Sequence, residues 1–316
     1  MRRELPSLTE SLGLHPLPER LRQAKVALAG AEDLPKSRFD LSSLSLLAPR
    51  LALPLWRGRF KYPRRVILTN LFNHTQTPIE DGWSVRRTQT EDFRGRKLTY
   101  DSHNGTDLSI PRGTTVVAPA AGYVARIFAE FNRGGLKLML VHGDGLTTCS
   151  AHLARVLVRE GDRVRLGQPV AISGYSGLDG AATFPWGIPH VHFNVWLDGV
   201  PVDPFPVAGE QSLWVGGHPT PAPSASADAP YAPPAFDLAA LDRAVASCRT
   251  AEVQARLLAI EDIAQRGLHL ISERNYYPTR FEDRDGIYAE RHPRRPRLHL
   301  PFSEADVDGA DFSDEL

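Results

Sequence analysis

Between Tyr100 and Val207 the chain repeats one pattern, a strand-length run of β-branched and apolar residues followed by glycine. TTVVAPAAGYVARIFAE, LKLMLVHG, LTTCSAHL, DRVRLGQPVAISG and HVHFNVWL each hold such a run, and Gly122, Gly143, Gly161, Gly174 and Gly199 punctuate them. Valine, isoleucine and threonine fit a pleated, half-buried surface, whereas glycine permits the turns between strands. The spacing predicts a mainly β domain, an antiparallel sandwich or partly open barrel, over residues 96–207.

The flanks read differently. Residues 1–95 begin helical, with Leu17, Leu21, Ala24 and Leu28 at helical spacing around Pro18. Strand and loop follow from Arg64 to Thr99. This segment is expected to pack on the β domain and to narrow access to its site. Residues 208–235 are rich in Pro, Ala and Ser and read as a linker. Residues 236–316 predict a helical hairpin through Leu238, Leu241, Val245, Val253, Leu257, Ile260 and Ile263, then solvated charge in RHPRRPR and the acidic SEADVDGADFSDEL. Few core contacts should cross such a linker, so the β domain is expected to fold without the last hundred or so residues.

Charge and cysteine usage exclude several classes. Lys plus Arg and Asp plus Glu number 37 each, so no net field attracts nucleic acid or an anionic membrane. Cys149 and Cys248 stand far apart, too few and too distant for a disulfide framework or a CxxC site, and read as buried small residues. Any metal must then rest on His and carboxylate. The amino-terminal stretch carries no apolar run typical of a signal peptide, which points to the cytoplasm. The run from Leu44 to Trp56 is broken by Pro49, Arg50 and Pro54 and is too short for a transmembrane helix.

Three histidine segments carry the chemistry. In HVHFNVWL the strand period puts His190, His192, Asn194 and Trp196 on one face and Val191, Phe193, Val195 and Leu197 on the other. Two imidazoles so placed either approach one cation together or act as ligand and acid/base neighbour. In SHNGTDLSIPRGT, His103 and Asp107 are four apart, but Asn-Gly between them and Pro111 after them argue for a loop entering a strand. Two His and one Asp suit Zn²⁺ and leave a fourth position for water. His152 ends a predicted strand in CSAHL. His142, in LVHGDG, reads as structural.

The order and flanks of these segments resemble one family. SHNGTDLSIPRGTTVVAPAAGYV, VHGDGLTTCSAHL, VREGDRVRLGQPVAISGYSG and PHVHFNVWLDGVPVDP are similar to the lysostaphin-type (LytM-like) zinc metalloendopeptidases, which cut peptide bonds in peptidoglycan. The likeness runs from about His103 to Pro204. It implies one Zn²⁺ per chain on His103, Asp107 and His192, with His152 and His190 assisting catalysis. His152 is read as base or proton shuttle and His190 as partner of the oxyanion. It also implies a peptidoglycan or peptide substrate and a place in the cell envelope, against the reading of the amino terminus. The chain departs from the family at Ser150, where tyrosine is usual, at Asn194, where glutamate is frequent, and in AATFPWGIP, whose Phe184 and Trp186 could shape a groove rim or pack a loop. Three alternatives stand beside this reading: a non-catalytic peptidoglycan-binding or activating module of the same fold, a zinc peptidase acting on an intracellular peptide, and a lipoyl-like carrier suggested by REGDRVRLGQ. The carrier lacks an acceptor lysine.

Overall fold

The computed structural model describes residues 5–224 and 232–316. Three helices come first, and each starts at a residue suited to it. α1 (Leu8–Leu12) follows Ser7, whose hydroxyl accepts from the Glu10 amide; α2 (Leu17–Ala29) carries Pro18 in its first turn; α3 (Pro49–Trp56) begins on proline. The helix expected around Pro18 therefore forms. Its periodic leucines do not face a core, however, since Leu17, Leu21 and Leu28 are 52%, 63% and 55% exposed and Ala27 is the buried contact.

The sheet is built from β1 (Arg65–Asn70), β2 (Thr106–Ser109), β3 (Thr115–Val117), β4 (Gly122–Glu130), β5 (Gly135–Val141), β6 (Leu146–Val156), β7 (Arg163–Val164), β8 (Pro169–Ser173), β9 (His190–Leu197) and β10 (Val200–Pro201). A short helix, α4 (Leu178–Thr183), precedes β9. Farther along, β11 (Pro221–Ala222) pairs with β12 (Leu300–Ser303) in a separate two-stranded sheet, while β13 (Gly309–Phe312) returns to the large one. The main path runs β13-β1-β2-β9-β6-β5-β4-β7, with β8 bridging β6 and β3 and β10 beside β9. Its pairs are antiparallel apart from β1 with β13. The two ends of the path do not meet, so the sheet is open rather than a closed barrel.

Strand alternation divides the molecule into two cores. Val191, Phe193 and Val195 of β9 face one cluster together with Leu108, Leu138, Leu140 and Leu153. Trp196 faces the other, with Met139, Val141 and Cys149, under three helices: α5 (Leu238–Ala246), α6 (Ala251–Leu258) and α7 (Ile263–Tyr276). The predicted hairpin is thus a three-helix layer. Leu241, Val245, Val253 and Leu257 are buried in it, whereas Leu238 and Ile263 are exposed.

Two expectations about the carboxyl-terminal part need correction. The segment expected as a linker from residue 208 carries Leu213 and Trp214, both buried in the first core, and Trp214 bridges to Leu298. Residues 225–231 of that segment lie outside the described residues. The acidic segment expected to be solvated instead supplies Val307 to the same core and adds β13 to the sheet, and the LHLPF run before it supplies Leu300 and Phe302. Its acids are paired with arginines encoded far upstream, Asp308 with Arg64, Asp311 with Arg65, and Asp314 with Arg94. A reading along the chain cannot see such partners, and counted alone the tail looks like unpaired charge. Residues from both sides of Val207 thus share one core. No described helix is long and apolar enough to cross a membrane.

Phe302→Ala tests this integration, because deleting a fully buried aromatic ring costs about 3–5 kcal/mol through lost burial and the cavity left behind. Urea unfolding followed by far-ultraviolet circular dichroism and tryptophan fluorescence should shift as one transition. Two separate transitions, with only the minor one displaced, would show that the tail folds apart from the sheet.

Candidate metal centre

The register of β2 on β9 sets Asp107 opposite His192 and Ser109 opposite His190, and β6 places Ala151 against His192 on the other side. Directly opposed residues on neighbouring strands have Cβ atoms about 4.5–5.5 Å apart, so a short carboxylate and an imidazole there meet without strain. His103 arrives from the loop before β2. Asp107, expected on that loop, sits within β2 itself.

Three electron-pair donors converge. Asp107 Oδ1 lies 2.8 Å from His192 Nδ1 and 3.1 Å from His103 Nε2, and the two ring nitrogens are 3.1 Å apart. His103 Nδ1 donates to the Leu71 carbonyl at 2.7 Å, which fixes the tautomer and leaves a lone pair on Nε2. Asn70 Nδ2 donates to Asp107 Oδ2 at 2.8 Å, turning Oδ1 toward the imidazoles. Each of the three residues offers one atom, and these atoms all lie within 4.8 Å of one another, close enough that they could hold a metal ion. Facing lone pairs repel unless a proton or cation sits among them. Two imidazoles and one carboxylate form the donor set that suits Zn²⁺ with an open fourth position.

Burial sets the protonation of this group. It opposes charge on Asp107, yet the imidazoles of His103, His190 and His192 around it hold that carboxyl well below the usual range. Burial also pushes His192 down, against the pull of Asp107, and pushes His152 well down, with His190 adding to the effect. A neutral imidazole and an ionised carboxylate are the forms that bind metal.

The two other histidines border the cluster. His152 lies within β6 at the irregularity in its pairing with β5, between Ser150 and Leu153, held at φ +60° with its amide donating to the Gly134 carbonyl. Positive φ is uncommon for a side-chain-bearing residue and concentrates at functional positions. Its Nδ1 donates to the Ser176 carbonyl at 2.7 Å, which leaves the lone pair on Nε2, and its ring meets that of His190 edge-on at 4.7 Å. His190 Nδ1 donates to the Ile188 carbonyl at 2.7 Å, and its Nε2 is 3.4 Å from Asp107 Oδ1. All five residues predicted as site residues are therefore brought together, and none is more than 9% exposed. His142 is not among them; Ala121 and Thr148 take its two ring nitrogens. Phe184 packs edge-on against Trp56 with centroids 5.0 Å apart, while Phe184 and Trp186 stay 40% and 49% exposed at the surface of that loop.

Several supporting residues were not visible in the sequence. Asn70 and the Leu71 carbonyl orient two of the three donors from a strand more than 30 positions upstream, with no motif to mark them. Tyr175 sets its ring tilted 4.7 Å from that of His190 and edge-on 5.1 Å from that of His152. Asn194 had a signal, since alternation puts it on the face of His192. It donates to the Asn104 carbonyl at 2.9 Å and accepts from the Tyr276 hydroxyl at 2.9 Å, tying the His103 loop to α7.

Residues 101–204 match the family described as Peptidase family M23. Among similar proteins, an uncharacterized metalloprotease of Haemophilus influenzae is 34% identical over 105 residues, 33% of this chain and 21% of that one. The peptidoglycan DD-endopeptidase ShyA of Vibrio cholerae is 28% identical over 131 residues, 40% of this chain and 28% of its own length. The catalytic domain of lysostaphin from Staphylococcus simulans is a solved structure with 28% identity and a TM-score of 0.29, covering 33% of this chain and 77% of that one. The chain thus spans under a third of the length of those two curated relatives. The matched residues enclose the three converging donors and both neighbouring histidines.

Proposed function

We propose that this protein is a zinc-dependent endopeptidase that hydrolyses peptide bonds in peptidoglycan stem peptides or cross-bridges, working in the cell envelope. The observation that carries this reading is the convergence of lone pairs from His103, Asp107 and His192 with two further imidazoles beside them. Substrate and compartment follow from similarity to a peptidoglycan DD-endopeptidase. His103, Asp107 and His192 would hold the ion. A bound Zn²⁺ supplies Lewis acidity, lowering the pKa of a water toward about 7 and polarising a carbonyl.

The remaining chemistry belongs to the side chains. His152, fixed through Nδ1 by the Ser176 carbonyl, offers the lone pair on Nε2 to the proton of the attacking water. His190, whose Nδ1 is committed to the Ile188 carbonyl, is assigned to the developing oxyanion through its Nε2. The low exposure of the group keeps bulk water from competing for these hydrogen bonds. We assign catalysis to residues 96–207, held in a frame supplied by the segments before and after. The packing of Leu12, Leu55 and Trp56 against Tyr175 and Ile188, beside the site, supports that role for the amino-terminal segment.

Metal analysis tests the ligand set. His192→Ala should lose the one zinc per chain that the unaltered protein carries; equal zinc in both would remove His192 from the set. His152→Ala and His190→Ala should keep most of the zinc and each lose about 100-fold or more in rate, the range of acid/base and oxyanion groups. Full activity in either variant removes its assigned role. Incubation with intact sacculi, followed by mass spectrometry of released muropeptides, should show cut cross-links or stem peptides. Zinc-loaded protein that releases none would point to a binding module instead.

A further inference from the structure

Arg133, in the turn between β4 and β5, is a buried cation that makes no direct ion pair among the described residues, with Asp179 and Glu130 acting on it only from farther off. It is 6% exposed, and its hydrogen-bond partners are neutral: the Ser37 hydroxyl at 3.3 Å and the Asn132 carbonyl at 2.9 Å. Its Nε has no partner among the described residues, and the Trp83 ring lies 5.7 Å from the guanidinium carbon. Other buried cations of this chain are matched. Arg126 meets Glu273 at 3.2 Å, and Lys137 takes Glu130, the acid nearest Arg133 in sequence, at 2.8 Å. An unmatched buried charge is costly, so a fold that keeps one invites an anion from outside.

A place for that anion adjoins it. Arg133 lines a cavity of about 130 Å³ together with Trp83, Ser102, Asn104, Arg274 and Asn275, and no acidic residue lines it. In that measure one water needs roughly 10–15 Å³, so the space exceeds a single solvent molecule. Donors are in surplus there. Asn275 Oδ1 accepts from Asn104 at 2.9 Å, leaving its Nδ2 without a partner, and Arg274 Nε is likewise unpartnered. The cavity also abuts the metal centre, because Ser102 and Asn104 flank His103, and Gly134, the residue after Arg133, accepts the His152 amide at 2.8 Å.

We propose that this cavity is a carboxylate subsite, in which Arg133 is the counter-ion for a carboxylate of a bound peptide, helped by Asn275 and Arg274. Guanidinium is the cation best matched to a carboxylate, through paired N–H donors. The peptide part of this assignment rests on the proposed peptidase function; the anion part stands on Arg133 alone. One wall comes from α7, outside the M23 match, so the subsite belongs to this chain's own extension.

The probes are N-acetyl-D-alanine and its carboxamide, which differ in the carboxylate, titrated by nuclear magnetic resonance into the full zinc-loaded chain. The acid should bind about 10-fold or more tighter than the amide, in the range of a lost charge-assisted pair, and Arg133→Gln should abolish that preference. Arg133→Gln should also unfold at the same temperature as the unaltered protein or higher, since it removes an unmatched charge. Equal affinity for acid and amide in the unaltered protein overturns the proposal, whether or not the variant folds. So does a preference that survives Arg133→Gln, which would place the carboxylate on the metal. If the preference is found but sacculi are not cut, the peptidase reading fails and the subsite stands; if sacculi are cut without any preference, only the subsite fails.

Discussion

Three lone pairs aimed at one point constrain everything around them. Asp107, His103 and His192 could relieve their mutual repulsion by swinging apart, but each is denied that freedom. Two sit on adjacent strands in fixed register, and the third is held at its far nitrogen by the Leu71 carbonyl. Preorganisation of this kind makes a binding site rather than a flexible cluster, because the cost of bringing like donors together is met in folding. The rest of the fold supplies the restraint: β1 carries Asn70 and leads to Leu71, and α7 secures the His103 loop through Tyr276, Asn194 and Asn104.

The sequence made the histidine-bearing β region legible because much of its information is local. A period of two in HVHFNVWL assigns faces without knowledge of any other strand, and the glycines mark where runs end. That period marked His190 and His192, whereas His103, Asp107 and His152 were assigned through the resemblance of their flanking segments, and the structure brings the five together. What stayed hidden depends on distant pairs. Asn70 is an ordinary strand residue until the register with β2 turns its amide toward Asp107, and Arg133 is an ordinary surface-type cation until the turn buries it. The tail misled for the same reason, since Asp308, Asp311 and Asp314 look solvated until Arg64, Arg65 and Arg94 are placed beside them.

Composition misled at Trp214. Proline and alanine around it suggest an extended connector, but a tryptophan in such a run can lie along a core as readily as the run can span solvent. Phe193 and Phe205 pack against that ring at 5.9 and 5.8 Å, joining strand β9, the end of the M23 match and the segment beyond it in one aromatic group.

The parallel pairing of β13 with β1 bears on how the chain is made. Residues 309–312 leave the ribosome roughly 200 positions after His103, so during synthesis β1 waits with one edge bare while the donors it steadies are already outside. An unpaired edge is a template for wrong partners, and Val66, Ile67 and Leu68 make this one apolar as well. The arginines at its start, Arg64 and Arg65, give the waiting edge a charge that repels its own copies until the acidic strand arrives to neutralise it.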